Sequence, residues 1–189
     1  KARYYDEARA LARTASSCAL VENGMRQFVV CSGGGPSIME AANRGAADVG
    51  AESIGLNILL PHEQAPNSFV TPRLSFQFHY FALRKMHFLL RARALVAFPG
   101  GFGTLDEVYE ALNLIQARKI DPMPIVLVGR EHWQRMLDLD YLLAEGLIGP
   151  ADTGLAQIVE TGDEAASLIL RYYGLDAPLP AASNANSRV

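Results

Sequence analysis

Twice in this chain a short, continuous apolar run ends in a cluster of glycines that opens directly into a helical pattern. Phe28-Val29-Val30-Cys31 runs into Ser32-Gly33-Gly34-Gly35-Pro36, and Ala94-Leu95-Val96-Ala97-Phe98 runs into Pro99-Gly100-Gly101-Phe102-Gly103. Continuous apolar runs of strand length suit strands buried on both faces, as in a parallel sheet, and parallel strands need crossover helices. The rest of the pattern supplies them. Ala8, Leu11, Ala12 and Ala15 recur at helical spacing between charged residues and predict a helix over 4–20. Further helices are predicted over 37–49, 81–91, 105–117, 133–145 and 163–173, and further strands over 53–60, 74–78, 124–128 and 157–160. Residues 61–73, with three prolines, read as a loop. Strands alternating with helices predict one α/β domain over 1–174, a doubly wound parallel sheet with helices on both faces. The segment 175–189, rich in Pro, Ala, Ser and Asn, reads as a disordered tail.

Composition narrows the function classes. Half of the residues are hydrophobic and 20% are charged, which allows a substantial core. No apolar stretch approaches the ~20 residues of a membrane helix. A net charge of −3 gives no general attraction to nucleic acid or anionic lipid, so any anion site must be local. Cys18 and Cys31 make no disulfide framework, and the four histidines have no metal-ligand spacing. Neither a metal nor a cofactor is expected. The chain enters its first helical pattern at once, without the features of a signal peptide, which places it in the cytoplasm.

Both glycine clusters follow carboxyl ends of predicted strands, where parallel sheets bind ligands. Glycine lets the backbone approach a ligand closely and leaves N–H groups free at a helix start, which suits a phosphate. Tight strand-to-helix turns also use glycine for geometry alone, but two such turns on one sheet favour a nucleotide or sugar-phosphate site. Neither cluster has the Gly-Lys-Ser/Thr ending of an ATPase loop, and Gly101-Phe102-Gly103-Thr104 lacks the third glycine of the dinucleotide fingerprint.

Ser37-Ile38-Met39-Glu40 and Thr104-Leu105-Asp106-Glu107 both have the spacing of a capping box, in which the glutamate only closes a helix start. Against that reading, Glu107 would sit one turn into a helix beside a phosphate-type loop. There a carboxylate can bind ribose hydroxyls or stabilise positive charge developing on a sugar ring. Arg84 and Lys85 interrupt an apolar segment and must either reach water or meet an anion. His79 and His87 flank the pair and read as core or interface residues.

Arg84-Lys85 followed by Pro99-Gly100-Gly101-Phe102-Gly103-Thr104-Leu105-Asp106-Glu107 resembles the signature of the LOG ("Lonely guy") family of cytokinin-activating phosphoribohydrolases, often labelled lysine decarboxylases. That signature is Pro-Gly-Gly-x-Gly-Thr-x-x-Glu with an upstream Arg-Lys pair, and the resemblance runs from about residue 4 to 174, including Gly33-Gly34-Gly35-Pro36 and Ile38-Met39-Glu40. It implies a Rossmann-like fold and hydrolysis of the N-glycosidic bond of a purine nucleoside 5′-monophosphate, without cofactor or metal. It implies Arg84 and Glu107 as the catalytic pair, and Gly100, Gly101, Gly103 and Thr104 as the holders of the 5′-phosphate. Gly33, Gly34, Gly35, Met39 and Lys85 fall among the substrate-binding positions, and a homodimer or higher homo-oligomer is implied.

Plant-type members carry Met-His-x-Arg-Lys where this chain has Phe81-Ala82-Leu83-Arg84-Lys85, and Tyr-Gly-Gly-Gly-x-x-Gly-Leu-Met where it has Ser32-Gly33-Gly34-Gly35-Pro36-Ser37-Ile38-Met39. Both departures point to a bacterial branch and to AMP as substrate. The family also begins with a strand ahead of the first helix, which the chain lacks, so a longer natural chain is expected. Two rivals stand beside the hydrolase. A nucleotide sensor would keep both glycine clusters without requiring Arg84 and Glu107 together. A pyridoxal-dependent decarboxylase would need a Schiff-base lysine, and only Lys1, Lys85 and Lys119 exist.

Overall fold

The computed structural model describes residues 2–18, 21–22, 25–59 and 65–175. Along the chain run α1 (Ala2–Cys18), β1 (Val21–Glu22), β2 (Met25–Arg26), β3 (Val30–Ser32), α2 (Ile38–Ala47), β4 (Ser53–Ile58), β5 (Ser75–Phe78), α3 (Phe81–Leu89), β6 (Leu95–Ala97), α4 (Phe102–Gln116), β7 (Ile125–Val128), α5 (Arg130–Met136), α6 (Leu139–Ala144), β8 (Ala156–Val159) and α7 (Gly162–Tyr172). Short 3-10 turns, Pro72–Leu74 and Pro150–Gly154, precede β5 and β8.

Strands β3 to β8 pair in parallel, as the alternation predicts, but the described ladder is divided. β3, β4 and β5 pair in that order, as do β6, β7 and β8. Among the described residues β3 and β6 are not hydrogen-bonded to one another. The division shows in burial. β7, paired on both sides, is buried at every residue, whereas in β3, paired on one side, only Ser32 is buried and Cys31 is exposed. The two-face burial predicted for residues 28–31 is not seen at Cys31, which lies on a strand paired on one side among the described residues.

Helices cover both faces of β6–β8, and β7 shows how. Ile125 and Leu127 enter a cluster with Val108, Ala111, Ile115 and Trp133 of α4 and α5. Val126 and Val128 enter another with Ala8 and Leu11 of α1 and Ala165 and Ile169 of α7. This is the period-2 alternation of a strand dividing two cores. α1 packs against both α2 and α7 through two glycines. A Cβ on Gly45 would lie 2.2 Å from the Arg9 carbonyl oxygen, and one on Gly162 would lie 2.2 Å from that of Glu7.

Three further corrections follow. The helix predicted over 133–145 is two helices, broken at extended Leu137 because the Asp138 carboxylate accepts from the Tyr141 amide and starts α6. The short antiparallel hairpin β1–β2 gives no pattern long enough to detect. Both capping boxes are absent: Ser37 makes no side-chain cap, and Glu40 accepts from the Tyr5 hydroxyl at 2.8 Å. The predicted tail lies outside the described residues save for Leu175, and so do residues 60–64 and the expected additional strand.

Candidate functional site

The site forms where the glycine turn after β3, the helix after β5 and the glycine turn after β6 converge. Each follows the carboxyl end of a parallel strand, so the topology assembles them without long loops.

The turn after β3 is held from below by a buried polar network. The Asn43 side chain, fully buried on α2, accepts from Ser32 Oγ at 2.7 Å and donates to Ser53 Oγ at 3.0 Å. Asn67 Nδ2 reaches Asn43 Oδ1 at 2.9 Å and the carbonyls of Gly34 and Gly35 at 3.1 and 3.0 Å. The Gly34 amide donates to Ser32 Oγ at 3.0 Å. Gly34 has φ +71°, and a Cβ there would meet Asn57 Oδ1 at 2.1 Å, so both backbone conformation and space demand glycine. Asn57 Oδ1 is buried without a hydrogen-bond partner among the described residues.

Arg84 projects from α3 toward this turn. Its Nε donates to the Leu56 carbonyl at 2.7 Å, and its guanidinium lies 4.9 Å from the centre of the Phe88 ring. A Cβ on Gly33 would lie 2.6 Å from Arg84 Nη2 and 2.6 Å from Met39 Sδ, so the missing side chain is what admits both.

The turn after β6 delivers the carboxylate. α4 begins at Phe102 with Gly101 as its cap residue, three positions earlier than a capping box at Thr104 requires. Thr104 instead lies inside the first turn with its Oγ1 folded over Gly100, 2.1 Å from where a Cβ would be. Glu107 is thereby released from helix closure. Its Oε1 lies 3.6 Å from Arg84 Nη1, an ion-pair contact longer than a hydrogen bond, with the two side chains 22% and 12% exposed. Burial pushes the Glu107 carboxyl above the ordinary glutamate range, against the downward pull of Arg84.

Gly33, Met39, Arg84 and Glu107 are thus brought together, with Gly34 and Gly35 on the network side. A Cβ on Gly101 or Gly103 would meet nothing within 4 Å, so their surfaces are open to a ligand. Lys85 points elsewhere: its Nζ lies 2.8 Å from Asp106 and 3.1 Å from Glu110, and the Asp106 hydrogen bond leads in raising its pKa. His79 and His87 are exposed rather than core residues, His87 against the Phe78 ring at 5.3 Å. Sequence reasoning missed Asn43, Asn57 and Asn67. The available signal was an asparagine inside each apolar or proline-bounded stretch, which by itself does not separate burial from exposure.

Among the described residues no group of three or more His, Cys, Asp or Glu side chains could hold a metal ion. Among them too, no helix is long and apolar enough to cross a membrane.

Residues 39–169 match the protein-family model described as "Possible lysine decarboxylase". Over 135 residues the chain is 29% identical to a "Probable cytokinin riboside 5′-monophosphate phosphoribohydrolase" of Oryza sativa subsp. japonica, covering 69% of this chain and 52% of that one. It is 29% identical over 116 residues to a "Pyrimidine/purine nucleotide 5′-monophosphate nucleosidase" of Escherichia coli, covering 56% of this chain and 25% of that one. A cytokinin riboside 5′-monophosphate phosphoribohydrolase of Arabidopsis thaliana is 26% identical over 76% of this chain and 67% of its own. The chain therefore spans about half the length of the rice relative and a quarter of the bacterial one. In fold it is similar to the molybdenum cofactor carrier protein of Chlamydomonas reinhardtii, with a TM-score of 0.62 at 22% identity over 92% of this chain and 90% of that one.

Proposed function

Because the chain belongs to the LOG family, we propose that it hydrolyses the N-glycosidic bond of a purine nucleoside 5′-monophosphate, AMP first, to free base and ribose 5-phosphate. The observation that carries the reading is the Arg84–Glu107 pair, half-withdrawn from water between two glycine turns.

Cleavage of the bond between C1′ and the base nitrogen builds positive charge on the ribose ring. Glu107 stabilises that charge and takes a proton from the attacking water, whose hydroxyl adds to C1′; the proton passes to the departing base nitrogen. A carboxyl pushed upward by burial is closer to neutrality than an ordinary one and so is a better proton carrier at physiological pH. Arg84, permanently charged, holds Glu107 and meets the anionic substrate. Gly100, Gly101, Gly103 and Thr104 supply the turn for the 5′-phosphate, and Gly33, Gly34, Gly35 and Met39 form the opposite wall.

The decarboxylase description does not fit these residues. A Schiff-base lysine must be neutral to attack a carbonyl. Lys85 is held charged by two carboxylates, Lys119 is exposed just beyond α4, and Lys1 lies outside the described residues. We assign the enzyme to the cytoplasm as a homo-oligomer, with no nucleic-acid or membrane partner. Supporting an oligomer, Leu83 and Met86 of α3 and its cap residue Leu90 recur at helical spacing and are exposed, as are Tyr80 before the helix and Phe102 at the start of α4, the last 92% exposed.

Incubation with AMP, followed by chromatography for adenine and ribose 5-phosphate, tests the activity, with Glu107→Ala as control. Release that disappears in the variant is expected. Binding of AMP without release, unchanged in Glu107→Gln, would instead support the sensor.

A further inference from the structure

Arg84 and Lys85 are neighbours in sequence, as are Asp106 and Glu107, and the structure joins the two pairs in parallel across α3 and α4. Successive residues on a helix point about 100° apart, so Arg84 and Lys85 leave α3 in different directions. Arg84 faces Gly33 and the Leu56 carbonyl. Lys85 faces Asp106 and Glu110, one turn apart on the same side of α4. Its side chain is only 18% exposed, and binding a phosphate would require it to abandon both carboxylates. Glu110 Oε2 is itself buried, and Lys85 Nζ at 3.1 Å is its charge partner.

α4 needs such a tether. It starts directly from the glycine turn with no side-chain cap, and a Cβ on Gly101 or Gly103 would meet nothing within 4 Å among the described residues. Fully buried core residues of α4, Val108, Ala111 and Ile115, begin only after Glu107; before it Leu105 alone packs on that core, and only partly buried. Resting on the hydrolase reading above, we propose that Lys85 is a positioning residue: through Asp106 and Glu110 it locks the first turns of α4 to α3 and so sets the approach of Glu107 to Arg84.

A double-mutant cycle on the full chain tests this, with AMP as substrate and wild-type turnover as reference. Lys85→Met and the double variant Asp106→Asn/Glu110→Gln break the same clamp from opposite sides. Each should lower kcat about 10–100-fold with KM within about two-fold, as a shift of about 1 Å in a catalytic group does. The triple variant should be no worse than either, and Lys85→Arg should restore most of the loss. A Lys85→Met variant with a raised KM and retained kcat, or a double variant with wild-type turnover, would overturn the clamp in favour of a phosphate-binding lysine. Amide hydrogen exchange provides a readout that does not need turnover. Protection over residues 105–110, the first amides of α4 with intrahelical acceptors, should fall in Lys85→Met and return in Lys85→Arg, while β7 stays unchanged. Unchanged exchange in Lys85→Met refutes the clamp. Absence of AMP cleavage by the wild type, with exchange behaving as expected, refutes the hydrolase reading alone.

Discussion

Replacing Gly33 by alanine should separate activity from stability. Gly33 is outside the left-handed backbone region, so alanine brings no conformational strain there. Its Cβ, however, would arrive 2.6 Å from both Arg84 Nη2 and Met39 Sδ. Ordinary contact is about 3.5–4.0 Å, so each group must retreat by about 1 Å. Both are the ends of flexible side chains, which keeps the folding cost near the low end for an added methyl group, about 1 kcal/mol. For a domain of this size that is about 2–4 °C in Tm. Activity responds to position rather than to strain. The guanidinium is pinned by its bond to the Leu56 carbonyl at 2.7 Å and faces Glu107 at 3.6 Å, so it cannot retreat without disturbing one of them. A misplacement of about 1 Å costs about 100-fold in rate, equivalent to about 2.7 kcal/mol of transition-state stabilisation. The assay is steady-state AMP cleavage beside a thermal melt of the same preparation. Wild-type kcat in Gly33→Ala, or a rate loss explained entirely by unfolding at the assay temperature, would refute the placement of Arg84 at the reacting centre.

The other predictions address stability and pH. Gly45→Ala should destabilise the fold by about 1–3 kcal/mol in urea unfolding, despite a gain of about 1 kcal/mol in helix propensity, because the methyl group meets the Arg9 carbonyl rather than a movable side chain. Asn43→Ala should cost about 2–4 kcal/mol by the same measurement, since Ser32, Ser53 and Asn67 lose a buried partner, and should speed amide exchange in Gly34. Glu107 has a folded-state pKa above its unfolded value, so the native state binds the extra proton and stability declines as pH rises through that window. Glu107→Gln lacks this penalty. It should unfold at higher urea than the wild type at pH 8, match it at pH 4, and lose about 100–1,000-fold in kcat.

How much of this was legible beforehand depends on the range of each interaction. The two glycine turns, the alternation of strands with helices and the Arg84 and Glu107 positions are local patterns, and the structure places them at one end of parallel strands. The start of α4 was misjudged by three residues because a Thr-x-x-Glu spacing is equally consistent with a cap and with a first turn. What decides between them is whether Thr104 folds over Gly100, a contact the spacing does not encode. The break between α5 and α6 was hidden for the opposite reason: apolar periodicity continues across Leu137, and only the Asp138 cap interrupts it.

By itself, then, the sequence determined the layer order and the chemistry available at the strand ends, because hydrophobic period and glycine content act within a few residues along the chain. Tertiary structure decided which charges meet. Lys85 pairs with Asp106 and Glu110, Asn43 gathers Ser32, Ser53 and Asn67 beneath the first turn, and Cys31 is exposed on a strand that, among the described residues, is paired on one side. Each outcome depends on the separation and rotation of elements many residues apart, and burial makes it energetically consequential, because a polar group withdrawn from water must find its partner within the fold.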